Sequence, residues 1–340
     1  MLTETDFDPN QLVRDYGNIE AEVKACRQSA ALFDFSFILS VCVSGPDALK
    51  AIARITERRL DDMAPGSIRY ALSCGPNGYL RSDLTIWNEG GGRYTVMSGH
   101  PDDVTDLVEQ TRTKGKDSSV AYLSNATAVF SVQGPDTFQA LDGLVDGKRL
   151  RVLPYFGFAV FDMGGVPCCI GRLGYTGERG FEIILPVEHR KRLWEQLAQR
   201  AQPAGFAAAD CLRIEAGFVL FANEFRLPVT ARDAGLEAFC GSDAAPPRFR
   251  LICFRAETEE PPILWRPSKD LAAPVSGTIA ITSACHSKLA SGTIGLGYVP
   301  VTGTQPSQPF SDPSGQFQDV HEVPKPFYDR PKRRPRGAWN

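Results

Sequence analysis

Residues 170–183 read Ile-Gly-Arg-Leu-Gly-Tyr-Thr-Gly-Glu-Arg-Gly-Phe-Glu-Ile, with glycine at positions 171, 174, 177 and 180. Glycines at this density let the backbone turn tightly and approach a ligand closely. The apolar residues that follow, 183–185, predict a buried strand with Glu182 at its mouth. The ring of Tyr175 and the carboxylate of Glu182 suit a flat, nitrogen-rich heterocycle, which needs a surface to stack on and an acceptor for paired N–H groups. Taken alone, the stretch fits a glycine-rich β-hairpin with ordinary polar residues better, because glycine patterns are common.

The neighbouring sequence favours a ligand-binding site over an ordinary β-hairpin. The segment at 174–183 resembles the GYTGE-x-G-(Tyr/Phe)-E segment of the aminomethyltransferase family, the T-protein of the glycine cleavage system and its folate-dependent relatives. Five further segments resemble that family in the family's own order: residues 16–38, 78–84, 131–136, 210–217 and 282–300. They include a Gln-Gly-Pro turn at 133–135 and the helix segment Asp-Cys-Leu-Arg-Ile-Glu-Ala-Gly at 210–217. The chain is therefore identified as a member of this family.

The resemblance implies an α+β fold arranged as a three-domain cloverleaf around a central opening. The first domain, which binds folate, combines residues 1–42 with 122–235. A second α+β domain covers 43–121 and carries Asp83, and a C-terminal β-rich, β-barrel-like domain covers 236–340. The residues themselves support α+β layers, because Gly45-Pro46 and Gly134-Pro135 each stand between a strand pattern and a helix pattern. Beyond residue 246, strands broken by Pro, Gly and Ser predict a small barrel or sandwich.

Composition narrows the class of protein. The chain has 340 residues, enough for two or three domains, and a net charge of −3 that gives no reason to expect a nucleic-acid partner. It has no apolar run of membrane-spanning length and no signal-peptide pattern at its acidic N-terminus. The chain has nine cysteines, an odd number, and no two of them have the C-x-x-C spacing. This pattern argues against a zinc site or a disulfide framework. We expect a cytoplasmic protein with no membrane partner, either a monomer or a homo-oligomer.

Asp83 is the candidate catalytic residue. It follows the Gly78 turn at the start of a predicted strand, where the resemblance implies the family's essential aspartate beside the reactive nitrogens of tetrahydrofolate. A carboxylate in that position can orient an amine or stabilise developing positive charge. Without the resemblance, a surface aspartate at a strand start is the better interpretation of Asp83.

Six further residues are implied to contact the folate. Glu182 and Tyr175 match the pterin-contacting pair, and a carboxylate can accept parallel hydrogen bonds from the pterin 2-amino and ring N–H groups. The remaining four are Tyr70, Trp87, Ser98 and Arg213. Tyr70 matches a tyrosine near the glutamyl end, and Arg213 matches an arginine that holds the folate carboxylate. Ser98 stands where an asparagine often donates to the ligand. The alternatives are an intramolecular bridge from Arg213 to Asp210 or Glu215, and a core position for Trp87.

The chain also departs from the family pattern. Ala209 replaces an arginine, Phe37 replaces a histidine, and the segments before Tyr16 and between Phe239 and Phe249 look shortened. Because neighbouring surfaces receive the lipoyl carrier protein in the T-protein, these departures predict a free donor instead of a carrier-bound one. The basic, proline-rich segment 330–336 is expected to be a solvated tail.

Three functions remain open at this point. The main prediction is a tetrahydrofolate-dependent methyltransferase or demethylase that takes a methyl group from a small donor. The first alternative is an aminomethyltransferase that forms 5,10-methylene-tetrahydrofolate and an amine. The second is a folate-binding protein without transfer chemistry, or a subunit of an amine-oxidising complex. Tetrahydrofolate is the expected cofactor in each case, and a small methyl or aminomethyl compound is the expected donor in the two transfer reactions.

Overall fold

The computed structural model describes residues 8–114, 117–240, 246–260, 262–267, 271–302 and 308–338. The chain folds into two compact units. The first comprises Met1–Ser73, Ser82–Ala209 and Arg334–Asn340, and the second comprises Cys74–Arg81 and Asp210–Arg333. The two segments that look shortened in the sequence fall partly on residues 1–7 and 241–245, which lie outside the described residues.

Strands and helices mix along the whole chain, as the α+β prediction requires. In chain order the strands are β1 Ala31–Asp34, β2 Leu39–Ser44, β3 Ile68–Cys74, β4 Leu80–Gly90, β5 Arg93–Ser98, β6 Ser119–Tyr122, β7 Thr127–Gln133, β8 Phe158–Asp162, β9 Pro167–Gly171, β10 Gly180–Pro186, β11 Gln202–Ala204, β12 Phe249–Glu257, β13 Ala280–Ser287, β14 Gly292–Pro300 and β15 Gln318–Val323. The helices are α1 Ile19–Gln28, α2 Ala48–Ile52, α3 Pro101–Lys114, α4 Thr137–Leu141, α5 Gly147–Arg151, α6 Arg190–Ala198, α7 Phe206–Glu215, α8 Phe221–Glu224 and α9 Arg333–Arg336. None of the helices in the described part of the chain is both long and apolar enough to cross a membrane.

The first unit contains a six-stranded sheet in the order β11-β1-β7-β10-β9-β8. Strands β1 and β11 are parallel, and the other pairs are antiparallel. One sheet face supplies Leu32, Phe130 and Ile183 to an apolar core that α6 covers with Leu193 and Leu197. Side chains alternate along a strand, so Phe33, Ser131 and Glu182, which share one row of the register, point to the opposite face.

A five-stranded sheet in the order β3-β4-β5-β2-β6 forms the second layer of the same unit. Its core joins Val43, Ile86 and Val96 to α2 and to Leu107 of α3. Strands β4 and β5 form an antiparallel hairpin, and α3 follows from Pro101.

The two sheets each contain one copy of the strand–turn–helix unit predicted from the glycine-proline turns. Gly45 links β2 to α2 and Gly134 links β7 to α4, with φ of +118° and +133°. A Cβ at either position would lie 2.2 Å or 2.3 Å from a backbone oxygen. Only glycine tolerates both the torsion and the close approach, so these turns are fixed by sequence.

The second unit carries a four-stranded antiparallel sheet in the order β13-β14-β12-β15. Its core is built from Ile252, Phe254 and Ile281 on the strands, together with Phe310 and Phe317 from the loops. The expectation of a β-rich C-terminal region agrees with this sheet.

The arginines of the basic segment 330–336 are exposed, as expected for a solvated stretch, but residues 333–337 are also ordered and partly packed. These residues form α9 and the turn after it, and Pro335 is buried. The guanidinium of Arg172 donates to the carbonyl oxygens of Pro335, at 3.3 Å, and Gly337. Arg334 also lies 3.6 Å from the buried carboxylate of Glu178. The tail packs because its backbone supplies acceptors to a buried cation.

Candidate functional site

Strand β10 places Glu182 on the inner face of the six-stranded sheet. In the register Glu182 lies between Ser131 of β7 and Gly171 of β9. The predicted buried strand after the glycine-rich stretch is β10 itself, and Glu182 is its third residue. Glu182 is only 9% exposed.

The loop before β10, residues 172–179, is held by the glutamine of the Gln-Gly-Pro turn. The Gln133 side chain is fully buried. Its Nε2 donates to the Leu173 carbonyl at 3.1 Å, and its Oε1 accepts from the Thr176 hydroxyl at 3.2 Å. Arg27 donates to the Thr176 carbonyl at 2.9 Å and pairs with Glu178 at 3.6 Å. Two sequence motifs that lie about 40 residues apart therefore form one rigid support.

Two glycines of this loop are required by the close approach of Gln133 and its strand. A Cβ at Gly174 would lie 2.1 Å from Gln133 Oε1, and a Cβ at Gly180 would lie 2.4 Å from the Val132 carbonyl oxygen. The glycines therefore allow the loop to pack closely on β7. This packing determines the positions of Tyr175 and Glu182.

Asp83 and Tyr70, on the five-stranded sheet, form a cluster with Tyr175 of the loop before β10. The Tyr70 side chain is hydrogen-bonded to Asp83, and Tyr175 lies close enough to Tyr70 to interact electrostatically. Burial raises the pKa of Tyr70 well above its usual value, and the negative charge and hydrogen bond of Asp83 raise it further. Tyr70 is therefore a neutral donor to an Asp83 carboxylate. Three of the predicted site residues are brought together here.

Trp87, on β4 of the five-stranded sheet, packs against the six-stranded sheet that carries Glu182. Its ring occupies the space where a Cβ of Gly171 would stand, 2.3 Å from the ring atom Cη2. The ring also packs on Phe158 at 5.1 Å, and its Nε1 donates to Thr85 at 3.1 Å. Trp87 is 1% exposed, so its environment agrees with the core alternative. Its packing joins the strand of Asp83 to the register neighbour of Glu182.

The carboxylate of Glu182 has no hydrogen-bond or ion-pair partner among the described residues. Burial raises its pKa from the usual 4.5 to about 7. Buried carboxylates are ordinarily paired with cations or N–H donors, because an isolated charge in an apolar surrounding is costly. An acceptor held in this state is suited to a ligand that brings its own N–H donors.

Tyr155 and Arg336 belong to the same surroundings and were missed by the sequence reasoning. Burial raises the pKa of Tyr155, the cations Arg336 and Arg172 lower it, and the charge of Glu182 raises it. Tyr155 precedes Phe156, a non-glycine residue with φ of +61°. Backbone hydrogen bonds hold this loop: the Phe156 N–H donates to the Arg172 carbonyl at 2.9 Å, and the Phe156 carbonyl accepts from the Ile68 N–H at 2.7 Å. Its only sequence signal is the aromatic pair Tyr155-Phe156 before β8.

Ser98 is engaged within the protein. Its hydroxyl donates to Asp103 at 2.6 Å, and the Ser82 hydroxyl donates to the same carboxylate oxygen. All three side chains are buried. This cluster ties β4, next to Asp83, to β5 and α3. The prediction that Ser98 contacts the folate remains untested, and its observed role is structural.

Arg213 lies in the second unit, fully buried on α7. Its guanidinium donates to Asp210 at 2.6 Å, to Glu224 at 2.8 Å and to the Ser283 hydroxyl at 2.6 Å. These contacts agree with the intramolecular bridge to Asp210, whereas Glu215 instead accepts from Ser287. The prediction that Arg213 holds a folate carboxylate stays a prediction. Within the described ranges, no group of three or more His, Cys, Asp or Glu side chains is arranged to hold a metal ion.

Comparisons with known proteins agree with the motifs. A family model described as "GCVT N-terminal domain" matches residues 6–244. A probable aminomethyltransferase of Natronomonas pharaonis is 32% identical over 96% of this chain and 95% of that protein. An aminomethyltransferase of Rubrobacter xylanophilus is 29% identical over 98% of this chain and 92% of that protein. The crystal structure of the glycine cleavage system aminomethyltransferase T of Bartonella henselae matches with a TM-score of 0.73 at 23% identity, covering 92% of this chain and 90% of that one, which shows a common fold.

Proposed function

Since this chain belongs to the aminomethyltransferase family, we propose that it transfers the carbon of an aminomethyl donor to tetrahydrofolate, forming 5,10-methylene-tetrahydrofolate and releasing the amine. The two relatives that match nearly the whole chain carry the name aminomethyltransferase. They support the aminomethyl reaction, which was the alternative in the sequence prediction. The methyl-transfer prediction gains no support from them.

The observation that carries the proposal is the unpartnered, nearly buried carboxylate of Glu182. A reduced pterin presents a 2-amino group and an adjacent ring N–H on one edge, and a carboxylate can accept both in parallel. Binding satisfies a buried charge that otherwise has no partner among the described residues. It therefore favours the ionised form of Glu182 and lowers its pKa from about 7.

Asp83 is assigned to the chemical step. Tetrahydrofolate supplies two nucleophilic nitrogens, N5 and N10, that the transferred carbon comes to bridge. A carboxylate beside them stabilises positive charge that develops on nitrogen or carbon during the transfer. The Tyr70 hydroxyl, which is hydrogen-bonded to Asp83, fixes the carboxylate in place. Tyr175 supplies a ring next to this pair and is assigned to contact the pterin.

The reaction balances for a donor in which the aminomethyl carbon is bonded to sulfur. The carbon–sulfur and carbon–nitrogen bonds break, the carbon bonds to N5 and N10, and the two folate N–H protons leave with ammonia and the thiol. No oxidant or reductant is required. Positioning of the donor carbon against N5 is the main contribution of the protein.

The test is a transfer assay on the purified protein under anaerobic conditions. An aminomethyl thioether is supplied either on free dihydrolipoamide or on a lipoyl carrier protein, and methylene-tetrahydrofolate and ammonia are quantified together. We expect equal amounts of both products, and a loss of about 100-fold or more in kcat for Asp83→Asn. Asp61→Asn, at an exposed aspartate, is the matched control and retains activity.

The two donor arms decide whether a carrier is required. Turnover with free dihydrolipoamide alone agrees with the free donor expected from the altered motifs, whereas turnover only with the carrier adds a protein partner. Formation of 5-methyl-tetrahydrofolate from methylated donors, with none from either aminomethyl donor, would overturn the proposal in favour of methyl transfer.

A further inference from the structure

A cavity lies in the first unit, at the carboxyl ends of the parallel strands β1 and β11. The pairing of these strands runs from Ala31 to Phe33 on β1, which ends at Asp34, and β11 leads through Gly205 into α7. The cavity has a volume of about 290 Å³, near the lower end of the roughly 300–1,000 Å³ of small-molecule sites. Diverging carboxyl ends of parallel strands are a frequent position for ligand crevices. None of the predicted folate-site residues lines it.

Four phenylalanines line this cavity as a continuous series of ring contacts. Phe33 stacks on Phe35 at 5.7 Å, Phe35 meets Phe37 edge-on at 5.7 Å, and Phe37 meets Phe206 edge-on at 5.6 Å. Phe37 is the residue that replaces the family's histidine, so this chain has an aromatic wall where a polar ring is usual. Such edge and face contacts are the surroundings that another aromatic ring prefers.

The polar side chains that line the cavity are Gln11, Tyr16, Asp34, Ser36 and Arg190. Arg190 Nη2 donates to Asp34 Oδ2 at 2.6 Å, and Asp34 Oδ1 accepts from the Ser36 N–H at 3.0 Å. Asp34 is thus satisfied. Arg190 is half exposed, and its Nε and Nη1 have no partner among the residues that the structure describes. Tyr16 lies close enough to Arg190 to interact with it electrostatically. The Tyr16 hydroxyl and the Arg190 guanidinium are therefore both donors at the rim of the cavity.

We propose that this cavity binds a small aromatic monocarboxylate. The ring enters among the phenylalanines, and the carboxylate accepts from the free donors of Arg190 and from the Tyr16 hydroxyl. An organic cation is disfavoured because the two nearby carboxylates already have donors: Asp34 accepts from Arg190 and the Ser36 N–H, and Glu22 accepts from the Tyr16 and Gly205 N–H groups. The inference is independent of the proposed transfer reaction.

The test uses phenylacetate as the probe, titrated calorimetrically into the full chain. We expect saturable binding that Arg190→Gln weakens about tenfold or more. Arg192→Gln is the matched control, since Arg192 lies two residues away on the same helix and donates instead to the Gly164 carbonyl. Benzylamine, which keeps the ring and reverses the charge, is expected not to bind.

A second variant protects the test against loss of folding. Phe37→Ala leaves the ion pair at the rim intact and removes the aromatic wall, so it also weakens phenylacetate binding, and thermal melts confirm that each variant is folded. Three results would overturn the proposal: no saturable binding to the wild type, equal binding by a folded Arg190→Gln variant, or displacement of the probe by tetrahydrofolate, which would place it in the folate site.

Discussion

At the scale of single residues, Glu182 and Arg213 are both buried charges with opposite surroundings. Arg213 is 0% exposed, and each of its guanidinium nitrogens donates to an acceptor inside the second unit. Glu182 is 9% exposed and finds no such partner in the described part of the chain. The buried charge of Arg213 is compensated by acceptors within the fold, whereas a buried charge without such partners indicates a candidate ligand site.

The raised pKa of Glu182 leads to a stability prediction. At pH values below the usual pKa of 4.5, the carboxyl is protonated in both the folded and the unfolded chain, so it does not lower the free energy of unfolding. As the pH rises through the interval from 4.5 to about 7, the unfolded chain ionises first and folding is disfavoured. Above pH 7 the full penalty applies. Glu182→Gln is therefore expected to be more stable than wild type by up to about 3 kcal/mol at pH 8 and by little at pH 4.

Denaturant unfolding at the two pH values checks this. Glu188→Gln, at an exposed glutamate just beyond β10, serves as the control and changes stability little at either pH. An equal effect of Glu182→Gln at pH 4 and pH 8 would show that the carboxylate is not held without a partner.

At the scale of elements, the contact between Trp87 and Gly171 joins strands β4 and β9. Gly171→Ala would place its Cβ 2.3 Å from the Trp87 ring, and we expect it to destabilise the protein by about 1–3 kcal/mol through overpacking. The loss should be smaller in a Trp87→Phe background, because the shorter ring leaves room. Gly147→Ala, where nothing lies within 4 Å of the new Cβ, is the control in thermal unfolding. Equal losses in both backgrounds would contradict the assigned contact.

Gln133 is predicted to govern the order of the loop at 172–179. Gln133→Leu removes the donor to the Leu173 carbonyl and the acceptor for Thr176. Amide hydrogen exchange in that loop should then accelerate while exchange in the second unit is unchanged. Gln202→Leu changes an exposed glutamine at the edge strand β11 and should leave the loop as it is. Unaltered exchange in the Gln133 variant would remove this residue from its supporting role.

At the scale of the whole molecule, the C-terminal segment belongs to the first unit although the chain before it, 210–333, builds the second. Deleting residues 334–340 removes the carbonyl oxygens of Pro335 and Gly337 that accept from Arg172. We expect a loss on the order of 2 kcal/mol in stability of the first unit. Deleting residues 338–340 only is the matched control and leaves both acceptors. Equal melting curves for the two truncations would contradict the observed packing.

The features that could be predicted from the sequence are those that depend on residue type at a fixed position. Gly45, Gly134 and Gly174 predict turns and close approaches because no other residue fits there, and the apolar run after Glu182 predicts β10. The position of Tyr155 beside Glu182 could not be predicted, because it depends on the tertiary fold. The packing of residues 333–337 was not predicted, because Arg172 donates there to backbone carbonyl oxygens, which no side-chain pattern records. Arg213 matched its motif, yet the motif says nothing of how many internal acceptors surround it.

The most direct measurement is calorimetric titration of tetrahydrofolate into the wild type, Glu182→Gln and Asp83→Asn under anaerobic conditions, at pH 8 and pH 6. We predict that the wild type binds tetrahydrofolate and that binding weakens at pH 6, because it then requires loss of the proton from a carboxyl whose pKa is about 7. Glu182→Gln should bind much more weakly and without that pH dependence, and Asp83→Asn should bind nearly as the wild type does. Absence of binding by the wild type, or equal binding by a folded Glu182→Gln variant at both pH values, would contradict the folate site.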